Sequence, residues 1–224
     1  MLKFYYQKYS LYSRPVWITL LEKQLTFESI ELSLNGDQWH PYFLAINPFG
    51  RVPVLIDNNF AIFESLAILD YLELQYPNPA LLPTGARSIT IARMIQLLAI
   101  HGLIPAMLTM IRATDNQAKM QRAKKQIIAM LSFLEQHLVT GNSYLTSDRI
   151  SLADIVAGSL IVWLPYLKIS LSNYSYVENW LNRLTQRSAW IATQPDAEDI
   201  PDWLKRIQKL PSVRERQWKQ NQKY

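Results

Sequence analysis

Two short motifs constrain the fold of this 224-residue chain more than any other feature. Residues 47–55 form the sequence Asn-Pro-Phe-Gly-Arg-Val-Pro-Val-Leu, and Glu64-Ser65 opens an apolar run that continues to residue 72. Pro53 has no N–H to donate, so a strand that begins there leaves Val52 outside the ladder. The run after Ser65 has helical periodicity and places Ser65 near the N-terminus of a helix.

The same motifs predict the chemistry of a ligand. A backbone edge held out of a sheet, as at Val52, can pair with an extended peptide. The N–H groups and dipole at a helix N-terminus favour a carboxylate beside Ser65, and the neighbouring Glu64 carboxylate suits an ammonium group. Peptide backbone on one side and an amino-acid zwitterion on the other together describe a γ-glutamyl tripeptide.

This pattern resembles the glutathione-binding domain of the glutathione S-transferase superfamily. The resemblance implies an α/β thioredoxin-like N-terminal domain followed by an all-α C-terminal domain. It also implies that Val52-Pro53 is a cis peptide, that the Val52 backbone pairs with the cysteinyl part of glutathione, and that Glu64 and Ser65 hold the γ-glutamyl group. A homodimer is implied as well.

Hydrophobic periodicity agrees with two domains. Residues 1–77 predict the order β-α-β-α-β-β-α, and residues 88–224 predict helices alone. Prolines and a glycine in 78–87 predict a linker between them. In the second domain, Ser151 and Asp154 have the spacing of a capping box, which predicts the start of a core helix.

Composition excludes several functions. The chain has no cysteine, so its own side chains cannot carry out thiol–disulfide exchange, and any reacting thiol must come from the ligand. The net charge of +5 is concentrated toward the C-terminal end, where it predicts a solvated surface. We expect no nucleic-acid partner, because no recognition module accompanies these charges, and no metal site. The start lacks a signal peptide and no long unbroken apolar stretch occurs, so we expect a cytoplasmic protein without a membrane partner.

The loop after the first strand supplies candidates for activating the thiol. In the serine-type transferase classes, which this chain most resembles (theta, zeta and chi), the catalytic serine lies six residues before a valine, as Ser10 lies before Val16. Ser10 is therefore the predicted catalytic residue. Ser13 precedes Arg14-Pro15 and is the predicted helix N-cap. Tyr5 and Tyr6 correspond to tyrosine-type classes but fall inside the strand.

The glycine carboxylate of glutathione needs a donor or a cation. The resemblance implies that Gln38 and Arg51 supply them, with Pro53 completing the glutathione site. His40, between Trp39 and Pro41, is two positions out of register and is predicted to be a loop residue. No acidic residue lies between Glu73 and Asp115, where several classes carry one that contacts the partner's glutathione, so Glu64 is expected to hold the ammonium group alone.

The resemblance places the electrophile pocket between the first loop and the first long helix of the second domain. Its predicted lining is Leu11, Tyr12, Met107, Leu108 and Ile111. We expect a detoxification transferase that conjugates glutathione to small hydrophobic electrophiles, with isothiocyanates suggested by likeness to the chi class. Two alternatives stay open: a zeta-type glutathione-dependent isomerase, which would need an arginine for a dicarboxylic substrate, and a non-catalytic binding module.

Overall fold

A computed structural model describes residues 1–209 of the chain. Residues 210–224 of the predicted second domain lie outside the described part. The basic residues Arg214, Arg216, Lys219 and Lys223 lie outside the described residues.

The N-terminal half is a four-stranded mixed sheet with helices. Its elements are β1 (Leu2–Tyr6), α1 (Ser13–Glu22), β2 (Phe27–Glu31), a 3₁₀ turn (Asp37–Trp39), α2 (Pro41–Ile46), β3 (Val54–Asp57), β4 (Phe60–Phe63) and α3 (Ser65–Gln75). The strand order is β2-β1-β3-β4, with β1 parallel to β2 and the other pairs antiparallel. This is the predicted element order and the predicted fold class.

Strand β1 is central and is buried on both faces. Phe4 and Tyr6 belong to the main core, whereas Tyr5 packs with Phe43 and Val54 in a smaller cluster. Because alternate residues of a strand point to opposite faces, this division places α2 on one face of the sheet and α1 and α3 on the other. The C-terminal end of β1 leads directly into the loop that carries Ser10.

The C-terminal half is helical. Its elements are α4 (Ala86–Leu98), a π turn (Ala99–Leu103), α5 (Ile104–Arg112), α6 (Gln117–Leu138), α7 (Leu152–Ile161), a 3₁₀ turn (Leu164–Leu167), α8 (Ser175–Thr185), α9 (Ser188–Ala192) and α10 (Ile200–Lys209). Helices α4 and α5 are joined by the π turn, which contains Gly102, a residue of low helix propensity.

The segment Ala86–Arg112 is long and apolar enough to satisfy the length and composition criteria for a membrane span. The segment is interrupted by Arg93 and His101, so it does not contradict the expectation that no long unbroken apolar stretch occurs. Half of its most apolar window is buried within the molecule, as in the core helix of a helical domain.

Helix α7 is buried along its whole length and begins with the predicted capping box. The Asp154 carboxylate accepts hydrogen bonds from the Ser151 backbone N–H (2.8 Å) and hydroxyl (2.6 Å), from the Leu145 N–H (2.9 Å) and from the Trp180 indole (2.8 Å). Burial raises the pKa of Asp154, and these donors oppose that rise by stabilising the carboxylate. The capping box is thereby confirmed as a structural feature.

A buried ion pair joins α1, α3 and the segment that follows α3. The fully buried Lys23 ammonium lies 2.7 Å from Glu73 and donates to the carbonyls of Tyr76 and Pro79, both at 2.8 Å. Glu73 also accepts from the backbone N–H groups of Leu81 and Leu82. Both charges are satisfied, so the pair fixes the exit from the first half of the chain.

We expect Lys23→Met to lower the free energy of unfolding by about 3–5 kcal/mol, because Glu73 would be left as a buried charge without its partner. Lys3→Met is the matched control: the Lys3–Glu28 pair spans 3.3 Å but both side chains are nearly half exposed. Its loss should cost less than about 1 kcal/mol. Urea unfolding of both variants measures the difference, and equal losses would contradict the role given to Lys23.

Candidate functional site

Ser10 lies in the loop between β1 and α1, three residues before the first residue of the helix. Its Oγ accepts hydrogen bonds from the backbone N–H groups of Tyr12 (3.3 Å) and Ser13 (3.2 Å), and its carbonyl accepts from Ser13 and Arg14 at 3.1 Å. An oxygen that accepts two N–H groups keeps its own hydrogen for donation. The Ser10 hydroxyl can therefore donate to an anion at the N-terminus of α1, where the helix dipole also favours negative charge.

Ser13 is not the N-cap, and the prediction that it caps α1 is wrong. It is the first residue of the helix, is 1% exposed, and its hydroxyl oxygen has no hydrogen-bond partner. Residues 10–12 already turn toward the helix, and the side chain at its start that accepts backbone N–H groups is Ser10, from Tyr12 and Ser13. Burial also separates Ser13 from any ligand at the surface.

The two strand tyrosines are occupied elsewhere. The Tyr5 hydroxyl lies 2.8 Å from that of Tyr42, and burial, followed by this hydrogen bond, raises the pKa of Tyr5 to about 12. Tyr6 packs on Trp17 with ring centroids 4.8 Å apart, and burial raises its pKa too. Neither environment favours a phenol that activates a thiol, which supports the choice of Ser10.

The turn at 47–53 is built around the buried Asn47 side chain. Its amide donates to the Arg51 carbonyl (2.8 Å) and its oxygen accepts from the Phe49 N–H (3.1 Å). Gly50 has φ +57°, and a Cβ there would lie 2.5 Å from the Trp39 ring. The Val52-Pro53 bond is cis, as predicted, and Val52 lies outside β3, which starts at Val54. Asn47 and Gly50 thus shape the turn that presents the Val52 backbone.

Glu64 and Ser65 form the second part of the site. Glu64 is exposed and has φ +69°, a left-handed conformation that is uncommon for a residue other than glycine and that clusters at functional sites. Ser65 is buried and is the first residue of α3, as predicted. No side chain caps α3 from Glu64, so the first-turn N–H groups face outward beside an exposed carboxylate.

Tyr12 is the point at which these parts meet. The pKa of Tyr12 is raised, mainly because the residue is buried. The positive charges of Arg51 and Arg112 oppose this rise, and the negative charge of Glu64 adds to it. Charges act on a phenol in this way only over short distances, so residues from the first loop, both motifs and α5 share one neighbourhood. Arg112, whose guanidinium also donates to the Ile207 carbonyl at 3.2 Å, is a residue that the sequence analysis missed.

The two residues predicted to contact the glycine carboxylate, Gln38 and Arg51, lie in separate loops of the structure. Gln38 is partly buried and its side-chain oxygen accepts from the Gly36 N–H at 3.0 Å, which leaves its amide hydrogens to donate outward. Arg51 is exposed beside Tyr12. His40 caps α2 by accepting from the Tyr42 N–H at 3.3 Å, in agreement with its predicted role as a loop residue.

The five residues predicted to line the electrophile pocket are not equally accessible. Leu11, Met107 and Ile111 are at most 5% exposed and belong to the main core, so their side chains hold the helices together instead of facing an open cleft. Tyr12 and Leu108 are partly buried and keep accessible surface. The helical spacing of Met107 and Ile111 on α5 therefore indicates the face that packs against the core, not a face that lines a pocket.

A segment near the end of the described chain crosses the first loop. Lys8 lies 2.5 Å from Asp196, and the Tyr9 hydroxyl donates to Asp199. These bonds raise the pKa of Lys8, since Asp196 stabilises its ammonium form. Farther along, Arg206 of α10 donates to the carbonyl of Ser33 and to the Asn35 side chain (2.9 Å). Residues 196–206 thus contact both the loop that carries Ser10 and the loop that follows β2, a role that no local motif indicated.

Comparison with known proteins agrees with this geometry. The model of the glutathione S-transferase N-terminal domain matches residues 9–75, and that of the C-terminal domain matches residues 98–188. The chain belongs to the glutathione S-transferase family. Both halves of the family architecture are present: the mixed sheet that carries the two motifs, and the helical domain that follows.

The relatives of this glutathione S-transferase family member are named for different activities. Maleylacetoacetate isomerase of Mus musculus is 31% identical over 196 residues, which covers 85% of this chain and 91% of the relative. Glutathione S-transferase F10 of Arabidopsis thaliana is 28% identical and covers 80% and 89%. The structure of Ure2p in complex with glutathione has the same fold, with a TM-score of 0.78 at 21% identity over 86% of this chain and 93% of that one.

Proposed function

We propose that this family member binds glutathione and transfers its thiolate to small hydrophobic electrophiles, with Ser10 as the catalytic hydroxyl. The observation that carries the proposal is the geometry of three groups: Val52 stands outside β3 before a cis proline, the exposed Glu64 precedes the N-terminus of α3, and the Ser10 hydroxyl lies at the start of α1. Each of these belongs to a different predicted part of the glutathione site. Relatives named as glutathione transferases and a structural neighbour bound to glutathione support the ligand.

In the proposed complex the tripeptide spans the two motifs. The exposed Glu64 carboxylate holds the γ-glutamyl ammonium, and the uncapped N-terminus of α3 with Ser65 holds the γ-glutamyl carboxylate. The Val52 backbone pairs with the cysteinyl unit, which directs the thiol toward Ser10. Gln38 and Arg51 supply donors for the glycine carboxylate. Among residues 1–209 no cluster of three potential metal ligands occurs, and none is used here.

We expect Glu64→Ala to weaken glutathione binding about tenfold or more, because the ammonium would lose a charged hydrogen-bond partner. Glu198→Ala, an exposed residue between Asp196 and Asp199, is the control and should leave the affinity unchanged. Calorimetric titration with glutathione measures both. Equal affinity of the two variants would remove Glu64 from the site.

Activation of the thiol follows from the position of Ser10. A thiol with a pKa of about 8.5 is only a few per cent ionised at neutral pH, so the enzyme must stabilise the thiolate. The Ser10 oxygen is polarised by two backbone N–H groups and its hydrogen is free to donate. A donor of this kind in a shielded site is worth roughly 2–4 kcal/mol to a developing anion.

Ser10→Ala should lower kcat roughly 10- to 1,000-fold at neutral pH, with partial recovery as the pH approaches that of the free thiol, while glutathione affinity changes only a few-fold. Because the Ser10 oxygen also accepts from the Tyr12 and Ser13 N–H groups at the start of α1, this variant should lose about 1 kcal/mol of stability. Ser10→Thr keeps a hydroxyl that can make the same bonds and is the matched control.

Ser13→Ala tests the neighbouring hydroxyl, which has no partner and no route to the ligand. Ultraviolet absorbance of the bound thiolate against pH is the measurement for all three variants. A raised thiol pKa in Ser13→Ala but not in Ser10→Ala would show that the activating hydroxyl has been misassigned.

A second candidate function is favoured by Arg112. Its guanidinium is a positive charge near Tyr12, a residue of the predicted electrophile pocket, and burial of Leu11, Met107 and Ile111 leaves little apolar surface in that predicted pocket. A cation in that position suits a dicarboxylic substrate. Together with the relative named maleylacetoacetate isomerase, it supports a glutathione-dependent isomerase that uses the same Ser10 thiolate.

Arg112→Met separates the two functions. If conjugation is the main activity, turnover of 1-chloro-2,4-dinitrobenzene or benzyl isothiocyanate should change less than about threefold, since these substrates carry no charge for the guanidinium to hold. If the wild-type protein isomerises maleylacetone faster than it conjugates, and Arg112→Met reduces that rate tenfold or more, the isomerase replaces the transferase as the better assignment. Thermal unfolding checks that loss of the bond to Ile207 has not unfolded the variant.

We also propose that the protein is a homodimer that uses one face of α4. Met94, Leu97 and Leu98 are 43–50% exposed and occupy one stripe of the helix, since residues three and four apart are neighbours. Leu97→Lys should convert the dimer to a species of half the mass in analytical ultracentrifugation. Leu74→Lys, at an isolated leucine that is 83% exposed, should leave the mass unchanged; an unaltered Leu97→Lys dimer would place the interface elsewhere.

A further inference from the structure

Arg14 lies in the first turn of α1 and is almost completely buried, with 3% of its surface exposed. Its Nε donates to the Thr193 carbonyl at 3.1 Å and its Nη1 donates to the Ser159 carbonyl at 3.2 Å. The guanidinium also lies 5.5 Å from the centre of the Trp190 ring. These contacts hold α1 against the ends of α7 and α9.

The positive charge of Arg14 is only partly balanced by these contacts. Within the described part of the chain, no carboxylate forms an ion pair or hydrogen bond with it. Burial lowers the pKa of the guanidinium to about 10, so it remains charged at neutral pH. Carbonyls at a helix C-terminus provide about half a negative charge, which is less than the full charge of the guanidinium. Three of its five N–H donors are not used in these bonds.

A cavity of about 320 Å³ lies beside this guanidinium. Val162, Leu181 and Pro195 give it apolar walls, and Thr185 and Gln194 add polar groups. Tyr166, which is 43% exposed, lies at its outer edge. None of the lining residues belongs to the proposed glutathione site.

We propose that this cavity binds a small monocarboxylate with an apolar body, whose carboxylate pairs with Arg14. A buried cation with unused donors favours an anion, and the planar guanidinium fork matches the geometry of a carboxylate. The apolar walls favour a hydrocarbon chain or ring over a small inorganic anion. One guanidinium suits a single negative charge, whereas a phosphate dianion would need further donors. The site is separate from that of glutathione and does not depend on the proposed enzymatic activity.

The alternative is that Arg14 only anchors the helices and the cavity has no ligand. Calorimetric titration of the full-length protein with 4-phenylbutyrate distinguishes the two, with 4-phenylbutyramide as the uncharged probe of the same shape. Both titrations are run with and without saturating S-hexylglutathione, so that a carboxylate bound in the glutathione site is recognised by competition. We expect one molecule per chain, binding unaffected by S-hexylglutathione, and at least about tenfold weaker binding of the amide.

Thr185→Phe is the variant that tests the location, because it fills the cavity from a partly exposed position of α8 without removing Arg14. It should abolish binding of 4-phenylbutyrate while the melting temperature and glutathione binding stay as in the wild type. Arg14→Lys, which keeps a charge but not the fork, should weaken binding. Failure of the acid to bind, equal binding of acid and amide, competition by S-hexylglutathione, or full binding by a folded Thr185→Phe variant would each overturn the proposal.

Discussion

Two buried cations fix the two ends of α1, and the rest of the site depends on where that helix lies. Arg14 binds carbonyls at the ends of α7 and α9, and Lys23 binds Glu73 and the carbonyls of the segment after α3. A buried charge has a strong requirement for nearby partners, so both ends of the helix have few alternative positions. The N-terminus of α1, with the Ser10 hydroxyl, is consequently held at a defined place relative to the two motifs.

Much of the first domain could be predicted from the sequence because its signals are local. Pro53 and Ser65 mark the starts of β3 and α3 through backbone chemistry that does not depend on the rest of the chain, and the capping box at Ser151 works in the same way. The wrong prediction that Ser13 caps α1 also came from a local signal. A serine before Arg14-Pro15 has the local pattern of a cap, but the preceding loop already turns at Ser10, and pattern alone does not distinguish two serines three residues apart.

What the sequence did not reveal depends on contacts between distant segments. Tyr9 donates to Asp199, and Arg206 donates to Asn35, only after the helical part has packed against the sheet. The same packing brings the charge of Arg112 near Tyr12. The predicted electrophile pocket failed for a related reason. Met107 and Ile111 have the helical spacing expected of residues that line a cleft, but their face of α5 packs against the core. Apolar periodicity identifies the face that is removed from water, not which of its residues a ligand can still touch.

The contact of Tyr9 with Asp199 joins residues separated by 190 positions in the chain. Because synthesis proceeds from the N-terminus, the loop that carries Ser10 leaves the ribosome well before the segment that holds it. The sheet can form before that segment is made, but the loop at its edge gains these partners only afterwards. A sheet domain separated from the helical part would therefore lack the contacts that hold this loop.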